Sequence, residues 1–159
     1  MGCDIHLVAQ KRGEDGKWVT VEGDFGGEDH NESPFSWRSY GMFGFLANVR
    51  NYSQVVTIAE PRGIPWDFTE DDFWIGGIGG VFHSWLTIEE LEAFDYDQVI
   101  EDRRYGGRTA DGSWSGTLAH EPGEGAFTPL REFLGEGFFD DLKEAKRLGV
   151  ERVVFGFSL

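Results

Sequence analysis

The chain has 159 residues, 40 % of them apolar and including 14 Phe, 6 Trp and 4 Tyr, with 29 acidic against 14 basic side chains for a net charge of −15. A domain of this length buries on the order of 70 % of its unfolded surface, so composition excludes a disordered chain, while the negative field excludes direct binding to nucleic acid or an anionic membrane and favours basic partners. The single cysteine excludes an internal disulfide and points to a reducing, cytoplasmic compartment, and no run of 18 apolar residues spans a bilayer.

The opening residues, Met1 to Gln10, read as a strand. Side chains alternate across a strand, so Cys3, Ile5, Leu7 and Ala9 share an apolar face while Asp4, His6, Val8 and Gln10 share the other. Cys3 is expected as a small buried hydrophobe, and Gln10 as solvent-facing. Asp4 and His6 interrupt any signal-peptide core, and His6 stands where a myristoylation motif requires Ser or Thr.

A turn at Arg12–Gly16 leads to a returning strand over Lys17–Glu22, and Gly23–Ser36 is a long acidic loop in which His30 is expected to be exposed. Tyr40, Phe43, Leu46, Ala47 and Arg50 recur at helical spacing, which predicts a helix over Tyr40–Val49. Gly41 and Gly44 weaken it by roughly 1 kcal/mol each, or let the helix approach another backbone closely. Ile58–Pro65 is a Pro/Gly loop, Thr69 caps a short helix through Phe73, and Ile75–Gly80 is a flexible glycine run without phosphate-loop spacing.

The clearest local signal is Leu86-Thr-Ile-Glu-Glu-Leu91. Thr87 and Glu90 make a capping box, Leu86 and Leu91 staple it, and the helix runs to about Phe94 just after His83-Ser84-Trp85. Arg103–Gly125 reads as a loop or irregular hairpin. Thr128-Pro129 starts another short helix with Pro at its first position. A helix over Phe138–Leu148 ends at Gly149, and Arg152–Phe157, apolar on both faces, closes as a strand inside a sheet beside the first one. The class is α+β: one domain over 1–159, with a small mixed or antiparallel sheet from the N-terminal hairpin and the C-terminal strand, packed with three or four helices.

Two kinds of chemistry are open to these residues. Asp4 and His6, two positions apart on one strand face, supply an oxygen and a nitrogen ligand, and His83 is the candidate third ligand for a divalent metal such as zinc or manganese. Without metal, His6 is a candidate base, Asp4 its orienter and His83 an acid; the same groups also make an ordinary structural hydrogen bond. Basic residues are scarce, so Arg38, Arg62 and the cluster Arg103, Arg104 and Arg108 are candidate clamps for a phosphate or carboxylate. Tyr40, Ser84 and Trp85 stand beside them as candidate ligand contacts. The acidic residues cluster as Glu28-Asp29 with Glu32, Glu70-Asp71-Asp72, Glu89-Glu90 with Glu92, Asp95 and Asp97, and Asp140-Asp141. Such groups can imitate a phosphate backbone toward a basic partner.

Met1-Gly-Cys-Asp-Ile-His6, Arg38-x-Tyr40-x-x-Phe43 leading into Leu-Ala-x-Val-Arg, Pro61-Arg-Gly-Ile-Pro65 and His83-Ser-Trp-Leu-Thr87 occur in this order. Together they resemble a family of short bacteriophage and prophage proteins, over about two thirds of the chain. The resemblance implies a phage accessory setting in a host cytoplasm and supplies no mechanism. Where this chain has Gln10 an acidic residue is common in that family, and His-Ser-His-Ser-Trp is frequent where it has Val81-Phe82-His83-Ser84-Trp85; both departures remove potential ligands. Two functions are therefore expected. One is an accessory protein whose Asp/His pocket binds a metal or small anionic ligand and hydrolyses it; the other is a non-enzymatic, acidic inhibitor of host defence that occupies a basic nucleic-acid-binding protein.

Overall fold

The structure, a computed structural model, describes residues 2–69, 80–104, 107–108, 114–115 and 119–159. The chain packs as two compact units, one of Met1–Arg38, Ala59–Phe94 and Gly135–Leu159, the other of Ser39–Ile58 and Asp95–Leu134. Neither is a continuous segment.

The first unit is built on a four-stranded antiparallel sheet. Strand β1 (Asp4–Arg12) carries β2 (Trp18–Thr20) on one side and β8 (Arg152–Ser158) on the other; β3 (Gly80–Thr87) pairs with the far side of β8. The central place of β8 follows from its sequence, since a strand flanked on both sides reads as a continuous apolar run. One face of the sheet is core: Ile5, Leu7 and Ala9 stand opposite Phe157, Phe155 and Val153, and Leu86 of β3 lies across from Val153, all buried. Each such side chain contributes on the order of 1.5–3 kcal/mol by leaving water. Cys3 is buried as expected.

Helix α2 (Ile88–Ala93) follows β3 through the expected capping box: Thr87 Oγ1 accepts from Glu90 N–H and Glu90 Oε1 accepts from Thr87 N–H, both at 3.0 Å. Helix α4 (Glu136–Arg147) buries Phe138, Leu142 and Ala145 and ends before Gly149, whose φ of +81° suits glycine. In phase with that stripe sits Asp141, a buried carboxylate. It accepts from the backbone N–H of Gly26 (2.9 Å) and of Phe35 (3.0 Å), and so pins the acidic loop at both ends, while Phe35 stacks on Phe138 at 4.6 Å. Burial pushes its pKa up, against those two hydrogen bonds.

The second unit holds α1 (Tyr40–Ala47), β4 (Val99–Asp102), the short pair β5 (Gly107–Arg108) and β6 (Trp114–Ser115), β7 (Ala126–Pro129) and α3 (Leu130–Leu134). Ser39 caps α1, and every residue from Gly41 to Ala47 is buried. The two glycines are used for close approach: a Cβ at Gly41 would lie 2.8 Å from the Phe133 ring, and one at Gly44 would lie 2.6 Å from Asn51.

The expected α+β class, its antiparallel sheet and its helices are therefore present, and one expectation needs correction: Gln10 is fully buried rather than solvent-facing. The short helix expected from Thr128-Pro129 is α3, which begins one residue later at Leu130, while Pro129 ends β7 opposite Val99, a strand terminus where no donor is needed. His83, expected on a rigid entry to α2, lies on the strand β3 that leads into it, and a register shift between Val81 and Ser84 hides that strand's alternation. The helix expected from Thr69 to Phe73 and the glycine run from Ile75 fall mainly on 70–79, outside the described residues.

Candidate functional site

The second face of the sheet in the first unit carries the polar residues of β1. Register sets them in rows: Asp4 opposite Ser158 and Gly80, His6 opposite Gly156, Val8 opposite Val154 and Trp85, Gln10 opposite Arg152 and Thr87. His83 falls in the bulge across β8 from His6, which puts their Cα atoms on the order of 10 Å apart at two strand spacings.

Asp4 is held by Arg38 through a two-pronged pair, Nε to Oδ1 at 2.9 Å and Nη2 to Oδ2 at 3.0 Å, with both side chains about half exposed. The hydrogen bond from Arg38 keeps the carboxyl below its ordinary pKa, against a smaller effect of burial. Gly2 permits the arrangement, since a Cβ there would lie 2.6 Å from the Arg38 guanidinium. His6 shares a 2.9 Å hydrogen bond between its Nε2 and Ser158 Oγ. Among the described residues, no three His, Cys, Asp or Glu side chains are grouped to hold a metal ion, so Asp4, His6 and His83 do not form the three-ligand set expected of them.

Farther along β1 a denser network takes over. Arg152, only 5 % exposed, donates from Nε to Gln10 Oε1 (2.8 Å) and from Nη1 to Asp67 Oδ1 (2.8 Å). Its guanidinium lies 3.8 Å from the centre of the Trp18 ring, and Trp18 donates its indole N–H to Asp67 Oδ2 at 2.6 Å. Burial raises the Asp67 pKa, but the bonds from Arg152 and Trp18 outweigh it and hold the carboxyl below the usual range. The sequence reading did not bring Asp67 or Arg152 into any site; the buried Arg152 in an otherwise apolar strand was the available signal.

At the other side of the sheet, Arg62 closes the outer edge of β3. Its backbone N–H goes to Ser84 Oγ (3.0 Å), the neighbouring Gly63 N–H goes to the His83 carbonyl (2.8 Å), and its guanidinium takes both oxygens of Glu90 at 2.8 and 2.5 Å. It also donates to the Trp85 carbonyl at 3.1 Å and lies 4.8 Å from the Trp85 ring centre. Arg62 hydrogen bonding, opposed by burial and helped by Thr87, lowers the Glu90 pKa to about 2. Thus Arg62, Ser84 and Trp85 do come together, as a clamp made of their own mutual contacts.

In the second unit the Tyr40 ring lies under the Arg50 guanidinium (5.5 Å) and meets Tyr52 edge-on (6.0 Å), Arg103 donates to the His120 carbonyl (2.7 Å) and Arg104 pairs with Asp102 (2.7 Å). The side chain of Arg108 lies outside the described residues.

Among the described residues, two clefts open on the first unit beside these groups: one of about 450 Å³ among Trp18, Thr87, Glu92 and Lys146, and a second along β1. The second measures about 260 Å³ and is lined by Ile5, His6, Leu7 and Val8 of β1 and by Ser33 and Ser36 of the acidic loop. Sequence reasoning did not reach it, because Ser33 and Ser36 give no local signal and Asp141, which fixes their loop, reads as one more surface acid. No helix among the described residues is long and apolar enough to cross a membrane. Comparison with known protein families, with curated proteins and with solved structures gives no match for this chain.

Proposed function

We propose that this chain is a non-enzymatic, acidic binding protein whose partner is a basic, nucleic-acid-binding protein, in the phage accessory setting that its motifs imply. The supporting observation is how its charges are used. Arg38, Arg62, Arg104, Arg131, Lys146, Arg147 and Arg152 each pair with a carboxylate, so three of the cations expected to clamp an anion, Arg38, Arg62 and Arg104, are engaged by the chain's own acids, while Arg103 donates to the His120 carbonyl. These pairs leave the net excess of 15 acids unchanged. Seven exposed ones fall in the hairpin turn and acidic loop, at Glu14, Asp15, Glu22, Asp24, Glu28, Asp29 and Glu32. A field of that sign attracts a basic surface and speeds its encounter.

Titration against a lysine-rich histone as the basic probe tests this. Binding is expected at 50 mM salt and is expected to weaken tenfold or more by 300 mM; no binding, or binding indifferent to salt, contradicts it.

A second reading rests on the cleft along β1 itself, where His6 and the Ser33 and Ser36 hydroxyls would take a small anion, or on His6 and Asp4 of the same strand face taking a divalent metal. Its test is a titration with inorganic phosphate, zinc and manganese. Saturable shifts of the His6 ring resonances, with no binding to His6→Ala by calorimetry, are the expected result, and unmoved resonances count against it.

A further inference from the structure

The cleft is lined by four consecutive residues of a strand, Ile5 to Val8. Consecutive side chains point to opposite faces, and those of Ile5 and Leu7 are buried in the core. What these two residues present to the cleft is therefore backbone.

The hydrogen-bond pattern agrees. Ala9 gives its carbonyl to Val21 N–H at 2.8 Å, on the side of β1 away from β8. Strand alternation turns the N–H and C=O groups of Leu7 and Ile5 the same way. The neighbouring β2 stops short of them, since its register with β1 covers Gln10 to Arg12 only. Among the described residues no ladder or loop bond reaches Ile5 or Leu7 from that side. Half of a nine-residue strand is thus an open edge, and Ser33 and Ser36 form the opposite wall of the groove along it.

We infer that this groove takes an extended, Lys/Arg-bearing peptide segment of the partner, added as a further strand on β1 beside Ile5 and Leu7. The inference rests on the acidic-binding reading above and gives it a site. An open edge offers main-chain hydrogen bonds to any extended chain, and flanking charge selects among them. Here the outer wall carries charge of one sign. Between Trp18 and Trp37, the segment that supplies the groove's outer wall, there are five acids (Glu22, Asp24, Glu28, Asp29, Glu32) and no Lys or Arg; all five are exposed. That wall is also held in place before any partner arrives. Asp141 fastens it at Gly26 and Phe35, and Gly23 N–H bonds the Glu32 carbonyl at 3.0 Å. A preformed groove spares the ordering cost of docking.

The test uses the full chain, isotopically labelled, and two nine-residue peptides alternating lysine with valine, identical except that one carries N-methyl groups on alternate backbone nitrogens. The unmodified peptide is expected to bind and to shift the Ile5 and Leu7 amide resonances, and N-methylation is expected to weaken it about tenfold or more by removing ladder hydrogen bonds. Equal, salt-sensitive binding of both peptides with no shift at Ile5 and Leu7 overturns the edge site while leaving the acidic-binding reading standing. Failure of both peptides and of the histone overturns both. Concentration-dependent shifts at Ile5 and Leu7 in the chain alone would mean that a second copy fills the edge, which also overturns the peptide as its occupant.

Discussion

The two halves of β1 are treated in opposite ways. From Gln10 to Arg12 the strand is paired with β2 and bound into the Arg152–Asp67–Trp18 network. From Ile5 to Val8 its outer side faces a cleft. The far edge of the same sheet sharpens the contrast, because Arg62 and Gly63 close β3 with two backbone N–H groups and a stacked guanidinium. Sheet edges left open invite pairing with other chains, and proteins ordinarily cover them. A chain that covers one edge and half of another, and walls the remainder with a pinned acidic loop, has polar groups committed to stability in one half and available in the other.

Substitutions can break that division. Asp67→Ala should have the largest effect, because it leaves the Arg152 guanidinium and the Trp18 indole N–H buried without their acceptor. About 3 kcal/mol of stability should be lost, read as a lower denaturation midpoint in urea. A loss below about 1 kcal/mol would mean that the closed half is not held by this network. Asp141→Ala should cost about 2 kcal/mol by stranding the Gly26 and Phe35 N–H groups. Unlike Asp67→Ala, it should also loosen the groove wall, seen as faster amide exchange across 23–36.

Glu90→Gln should cost about 1 kcal/mol at neutral pH, since the cap acceptor survives while the charged pair with Arg62 does not. The sign with pH is fixed: a carboxyl lowered to about 2 on folding stabilises above its unfolded value and loses that contribution as pH falls toward 2. The gap between wild type and Glu90→Gln should therefore be full above about pH 5 and close on acidification. Asp4→Asn should be smallest, about 0.5 kcal/mol or less, because the Asp4–Arg38 pair is half exposed. A large loss there would place the open half among the stability elements and erase the distinction.

Local chemistry was readable before the fold was known. The Thr87–Glu90 box lies within four residues, the Gly149 stop within one, and the two-faced apolar run of β8 within six, so each could be read without knowing its neighbours. What failed depended on distance or on phase. The bulge between Val81 and Ser84 breaks the period-two signal of β3, so the strand went unread although the helix that follows it was legible. Asp4 meets Arg38 from 34 positions away, which spacing rules do not reach. Asp141 was legible in principle, because it sits three residues after Phe138 and one before Leu142 on the buried stripe of α4; grouping it with Asp140 as a surface acid discarded that phase. The candidate site shows the same divide. His6 was marked by its place on a strand face, whereas the open edge beside it is a property of backbone pairing and leaves no side-chain signature.

Amide hydrogen exchange along β1, resolved residue by residue, tests the central claim most directly. The Ile5 and Leu7 amides should exchange much faster than those of His6 and Val8, which face β8, and than that of Lys11, which faces β2. Protection at Leu7 equal to that at Val8 would show the edge to be closed, and the groove would have no strand to receive.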